Sequence, residues 1–265
     1  MYTLIMITIE TMYYIDNWTK KYNKKKVKLV KLLKNDSWQN IFTKEYFVNI
    51  EIFLEKLIKK KINIFPYPSL LFEPFNIVDL NKVRVVIIGQ EPYTKTIDNI
   101  PIATGIPFSI PKGVTIPSSL KNIFVNLIKF HHLNEFPDNG DLSNWVTQGC
   151  LMFNCSFTID KDKKYDHSKY WKLFVNHIIH YLSKYHHNLV FILLGEKAVK
   201  KGKLIDTNKH KIFTSTHPSS RVVESKLNNL PYFMDIDLFG LTNKYLKKYW
   251  NYTIKWSSVN ENEKA

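Results

Sequence analysis

Cysteine is scarce: the 265 residues hold two, Cys150 and Cys155. They flank the apolar run LMFN and have no Cys or His partner at zinc spacing. That argues against a disulfide framework and against a structural zinc site. Reduced, packed thiols in an intracellular protein are the expectation. No G-x-G-x-x-G and no G-K-[ST] occurs, so a Rossmann or P-loop nucleotide binder lacks its phosphate loop. No apolar run is long enough to cross a bilayer. The opening stretch MYTLIMITIETMYY is apolar, but it carries Glu10, lacks a basic leader and is too short for a span. Neither a signal peptide nor a membrane anchor is expected. Repeats and a clear linker are also missing, which points to one domain.

Acidic residues are in deficit, 23 against 38 Lys and Arg, for a formal charge of +15. A polyanionic partner fits, nucleic acid first and an anionic membrane surface second. An A/T-rich genome, favouring Lys, Asn and Ile, would produce the same excess, so charge alone does not decide the function.

What is present is a set of short apolar strands with chemistry at their ends. Val83 to Ile88 is β-branched and ended by Gly89, as in a strand buried on both faces of a parallel sheet. Cys150 to Phe153, Leu189 to Leu194 and Lys211 to Thr216 read as three more. Between them lie amphipathic helices. Leu120, Ile123, Phe124, Leu127 and Ile128 form one stripe, with Ser118 or Ser119 as N-cap; Trp171, Phe174, Val175, Ile178, Ile179 and Leu182 form another. Upstream, Asp36 or Ser37 caps a helical layer that carries Trp38, Ile41 and Phe42 and continues through Phe47 to Ile58. Lys24 to Lys26 opens a basic segment with Val27, Val30 and Leu33 at helical spacing, and the segment reads as a peripheral solvated helix. The fold class is α/β: a three-layer α/β/α domain with a central four-stranded, mostly parallel sheet.

Parallel strands put their carboxyl ends on one edge, where open α/β sheets bind ligands. Gln90 and Glu91, Asn154, Gly195 and His217 stand at those four ends. Singly, each has an ordinary structural use: a cap, a turn, a satisfied histidine. Together they predict a crevice shared by a carboxylate, an amide and an imidazole.

At these residues the sequence resembles the family-1 uracil-DNA glycosylases. The matching segments are GQEPY (89–93), GIPFSI (105–110), IPSSLKNIF (116–124), GDLSNWVTQG (140–149), LMFNCSFT (151–158), LVFILLGEKAVKKG (189–202) and HPSSR (217–221). They occur in the family's order and approximate spacing, and SWQNIFTKEYF (37–47) matches its upstream helix. The resemblance covers roughly residues 36 to 256. It implies residues 1–34 as an N-terminal basic, helical extension, 35–256 as the glycosylase domain and 257–265 as a flexible tail.

The resemblance implies an enzyme of base excision repair that flips uracil out of DNA and hydrolyses its N-glycosidic bond, leaving an abasic site. Glu91 and His217 would be catalytic, and Gln90, Tyr93, Phe108 and Asn154 would bind uracil. Asn154 would read N3–H and O4, Tyr93 would exclude the methyl of thymine, Phe108 would stack, and His217 would donate to O2 as charge collects there. Pro117, Ser118, Ser119, Gly195, Ser219 and Ser220 would contact phosphate, and Arg221 would enter the gap left by the flipped base. No metal and no cofactor is implied. Partners would be single- and double-stranded DNA containing uracil, with a replication or processivity protein as a further expectation. The location would be the nucleus or a viral replication site in the cytoplasm.

The chain departs from the family pattern at several points. Glu91 replaces the catalytic Asp, Thr94 the usual His, and Arg221 a residue that is Leu in most cellular members and Arg in some poxviral ones. The loop from Tyr93 to Phe108 is longer, and Glu196 brings a negative charge near the phosphate path. These features suggest a viral or other A/T-rich source. They also define the alternative reading, a weakly active or inactive DNA-binding scaffold or polymerase processivity subunit.

Overall fold

In the computed structural model, residues 17–219 and 230–258 are described. Four strands form the central sheet: β1 (Val85–Gly89), β2 (Cys150–Asn154), β3 (Val190–Leu194) and β4 (Lys211–Ser215). Their order is β2-β1-β3-β4, and every neighbouring pair is parallel. All residues of β1, β2 and β3 are buried, which is why these runs are apolar without alternation. β2 and β4 are the edge strands; β2 is covered, whereas of the residues of β4 only Ser215 is buried.

Helices cover the sheet. α1 (Val48–Lys59) and α3 (Ser168–Tyr185) pack against each other. They close over an aromatic cluster in which Phe42, Phe47, Phe72, Phe157, Trp171 and Phe174 meet edge-on or tilted. Such pairs add to the area they bury. In the other layer, α2 (Ser118–Lys129) and α4 (Leu238–Trp250) are joined through the turn at Phe233–Asp235. There the buried Asn126 donates to the Phe233 carbonyl at 2.7 Å. Two short antiparallel pairs complete the fold: Ile64–Phe65 with Ile159–Asp160, and Thr96–Ile97 with Ile100–Pro101. The second is a hairpin inside the long Tyr93–Phe108 loop.

Three local expectations change. The stretch 36–47 is two 3-10 turns, Asp36–Trp38 and Lys44–Tyr46, and not a continuous helix. Its cap is Asn35, whose side chain accepts from the Ser37 amide at 3.0 Å. Trp38, Ile41 and Phe42 are still buried, because a 3-10 turn also places residues three apart on one side. The basic segment is not a solvated helix either. It forms a 3-10 turn at Leu29–Leu32, and Val27, Leu29 and Leu32 are buried. The carboxylates of Glu55 and Glu51 on α1 accept from the amides of Val27 and Leu29. Trp18, also buried, donates to the Pro66 carbonyl at 2.8 Å. Finally, α2 starts at Ser118 with Pro117 at its N-cap, and neither Ser118 nor Ser119 caps it.

Candidate active site

The register of the sheet sets the site. Gly89 pairs with Asn154, and Leu194 with Ser215, so four chain reversals begin at one level. The loops leaving them enclose a cleft of about 50 Å³ lined by Gln90, Glu91, Tyr93, Phe108, Ser119, Asn154 and His217, among others. That is several times the space one water requires. Asn154 and His217, from β2 and from the loop after β4, therefore share one hollow.

Asn154 is 7% exposed. Among the described residues no hydrogen bond engages its carboxamide. A buried amide without partners is costly unless something supplies them. Gly89 makes room for it: a Cβ there would collide with the Asn154 carboxamide oxygen and approach Pro107. The carboxamide thus lies across the end of β1, with Gly89 as its floor.

Tyr93 and Phe108 form the apolar walls. The Tyr93 hydroxyl donates to the Phe108 carbonyl at 3.3 Å, and burial pushes its pKa well above the ordinary value. It stays an uncharged phenol at every working pH. Phe108 sits in the left-handed region at φ +65, uncommon for a bulky side chain. Its ring lies 5.7 Å from that of His217, tilted by 45°.

His217 rests on Gly195. A Cβ at Gly195, whose φ is +84, would come within 3.0 Å of the His217 Cβ. The Ser219 amide donates to Nδ1 of His217 at 3.1 Å. An Nδ1 that accepts is unprotonated, so the single proton of the neutral ring is on Nε2. Burial lowers the pKa from 6.5 to about 4, with the Glu91 charge opposing. The imidazole is therefore neutral at pH 7 and carries a donor at Nε2. Asn122 on α2 steadies the same turn by donating to the Pro218 carbonyl at 2.8 Å.

Glu91 stands at the mouth, 27% exposed at its side chain. Lys163 Nζ lies 2.6 Å from Oε1, and Lys197 Nζ 3.9 Å from Oε2. Lys197 lies within the segment 189–202 but nothing there marks it as a partner of Glu91, and Lys163 lies in none of the motifs. Each lies far along the chain from Glu91, and nothing in a basic sequence marks these two among so many.

The N-terminus of α2 faces the same side. Pro117 and Ser119 are half-buried, Ser118 is exposed, and Ser119 lines the cleft. With no side-chain cap, the first-turn amides of this 12-residue helix are open to an anion. Gly195 is the N-cap of the short helix Glu196–Val199. Glu196 next to it is not a bare charge, because Lys200 lies 2.6 Å away and draws its pKa down. Ser220 and Arg221 lie outside the described residues. No cluster of three or more His, Cys, Asp or Glu among the described residues could hold a metal ion. No helix among them is long and apolar enough to cross a membrane.

Comparison with known proteins gives the site a family. Residues 75–252 match the Uracil DNA glycosylase superfamily. A protein of Acanthamoeba polyphaga mimivirus named "Probable uracil-DNA glycosylase" is 35% identical over 251 residues, covering 89% of this chain and 68% of that protein. The uracil-DNA glycosylase of Helicobacter hepaticus is 34% identical over 242 residues, covering 88% and 99%. The crystal structure of mimivirus uracil-DNA glycosylase superposes with a TM-score of 0.87 at 35% identity, covering 92% of this chain and 95% of that one. On this combined match of sequence and fold, the chain belongs to the uracil-DNA glycosylase superfamily.

Proposed function

We propose that this protein excises uracil from DNA by hydrolysing the N-glycosidic bond of a base flipped into the cleft, as the first step of base excision repair. The observation that carries the reading is the unpartnered carboxamide of Asn154 in one narrow hollow with the Nε2 donor of neutral His217.

Each role follows from chemistry. The Asn154 carboxamide accepts from uracil N3–H and donates to O4. Cytosine has no N3–H and carries a donor at position 4, so it leaves buried groups unpaired at about 1–3 kcal/mol each. Tyr93 stands against C5 and excludes a methyl, while Phe108 stacks on the ring. Gln90 adds backbone contact. As the bond from N1 to C1′ lengthens, negative charge collects on the base and positive charge on the sugar. The His217 Nε2–H donates to O2, where the charge grows, and does so without first giving up a proton. The Glu91 carboxylate orients the attacking water and offsets the sugar cation. The water oxygen bonds to C1′ and gives up a proton to the Glu91 carboxylate, while uracil leaves as an anion with the former bonding pair and takes a proton from solvent.

DNA is held by the first turn of α2 through Pro117, Ser118 and Ser119, by Gly195, and by Ser219 and Ser220. Arg221 fills the gap in the stack. These contacts hold the strand without reading its sequence, so uracil in single- and double-stranded DNA is accepted. The place of action is the nucleus or a cytoplasmic viral replication site.

The test is an oligonucleotide with one internal uracil, incubated with protein and then alkali. Strand cleavage at the uracil position, with free uracil recovered, is the expected result. Intact strand across a broad range of salt and pH, from folded protein, rejects the proposal.

A further inference from the structure

We infer that Lys163 is a positioning residue for Glu91, matched to the extra length of this carboxylate. The inference rests on uracil excision as the function and names a residue for that reaction that none of the motifs contains.

The contact is built rather than incidental. Lys163 stands at φ +54, in the left-handed region that a lysine rarely adopts. The turn that holds it there is stitched by Asp160, which is 1% exposed. The Lys163 amide donates to the Asp160 carbonyl at 3.0 Å. The two carboxylate oxygens of Asp160 accept from the amides of Lys164 and Tyr165, at 2.8 and 3.0 Å. Asp160 itself pairs with Ile64 across a short antiparallel ladder. Behind it His167 Nε2 lies 3.3 Å from its carboxylate. The Lys163 ammonium leaves this rigid turn and meets Glu91 Oε1 at 2.6 Å.

A glutamate needs such a partner more than an aspartate does. Its carboxylate rides on one more rotatable bond, and a misplacement of about 1 Å can cost about a hundredfold in rate. Lys163 occupies one oxygen and fixes the torsions. The other oxygen, with Lys197 at the limit of an ion pair, remains for the water and the sugar. Glu91 borders both the uracil cleft and a second hollow lined by Lys163, Lys197, Thr158 and His167, so the tether spans the wall between them. Aspartate at 91 would be shorter by about one bond length, roughly 1.5 Å, and would lose the contact.

The experiment is a kinetic comparison on the uracil oligonucleotide of Lys163→Met and Lys163→Arg, each alone and with Glu91→Gln or Glu91→Asp. Lys163 is exposed, so the variants fold. Lys163→Met is expected to lower kcat about tenfold with KM within about twofold, and Lys163→Arg to restore most of it. Beside Glu91→Gln or Glu91→Asp, the same Lys163→Met change is expected to alter kcat by less than about twofold. A kcat unmoved by Lys163→Met, a loss that persists beside Glu91→Gln, or a rise in KM alone overturns the inference; the last two identify a phosphate contact instead. Wild-type protein that releases no uracil removes the functional reading and this inference with it, an outcome distinct from an active wild type indifferent to residue 163.

Discussion

Two histidines, the buried His167 and the half-buried His217, each have a pKa lowered to about 4, mainly by desolvation. Their surroundings differ. His167 belongs to a closed network: the Trp171 indole donates to Thr158 Oγ1 at 2.7 Å, and Thr158 lies 2.8 Å from His167 Nδ1. His167 Nε2 faces the Asp160 carboxylate. Among the described residues His217 has only its Nδ1 engaged, by the Ser219 amide, and it lines a cleft shared with Asn154, whose carboxamide has no partner among them. Burial alone thus does not mark a functional histidine. What separates the two is what surrounds the second ring nitrogen: His167 Nε2 is shut in beside a buried carboxylate 3.3 Å away, without a well-formed hydrogen bond to it, whereas His217 lines the cleft. The closed network holds a turn, and the open pair is left for a ligand.

The largest effects should come from removing the open pair. Asn154→Ala or His217→Ala should lower the rate of uracil release by about 10²–10³-fold, as loss of a preorganised donor does. The melting temperature should stay within a few degrees of wild type, because the Asn154 carboxamide has no partner among the described residues and the His217 ring accepts a single hydrogen bond among them, from the Ser219 amide. A large fall in melting temperature with modest rate loss would invert the comparison.

The closed network should answer the other way. Asp160→Ala strips partners from two amides and from His167, and should cost about 3 kcal/mol in urea unfolding. Its effect on kcat should not exceed that of Lys163→Met, since it reaches the reaction only through the turn that carries Lys163. Thr158→Val, which keeps the volume but breaks the indole-to-histidine link, should cost about 1–2 kcal/mol.

Acid tests both histidines together. In the unfolded chain each takes up a proton near pH 6.5, while in the native state each resists until about pH 4. Their contribution is complete above pH 6.5 and declines as pH falls towards 4, by on the order of 3 kcal/mol apiece. Unfolding at pH 7, 5.5 and 4.5 should show this slope, and His217→Gln should remove about half of it. The same ionisation predicts that His217 causes no loss of activity between pH 5 and 8.

The smallest effects should fall on the glycines that floor the open pair. Gly195→Ala places a Cβ 3.0 Å from that of His217 at φ +84, and should cost about 1–2 kcal/mol with a roughly tenfold slower rate. Gly89→Ala presses on the Asn154 carboxamide and should slow release to a similar extent without changing the pH slope.

The buried strands were legible in the sequence because a strand covered on both faces needs continuous apolar residues, whatever surrounds it. Their order of chemistry was legible for a related reason: Gly89, Asn154, Gly195 and His217 each follow such a run directly. The helices α2 and α3 showed in their periodicity, since one face of each must be apolar. The turns at 29–32 and 36–46 misled, because spacing by three or four residues fits a 3-10 turn inside the core as well as a solvated α-helix. The capping assignment at Ser118 and Ser119 failed because Pro117 already sets the entry angle of the helix.

The chain's local pattern, then, determined which segments become strands, which faces are buried, and which polar residues stand at the strand ends; those are short-range consequences of hydrophobicity and backbone stereochemistry. Only the tertiary structure decided that Nδ1 of His217 accepts and Nε2 donates, that the Asn154 carboxamide has no partner among the described residues, and that Lys163 meets Glu91 from 72 positions away. Such pairings depend on where rigid turns aim side chains in space, and sequence separation carries no record of that direction.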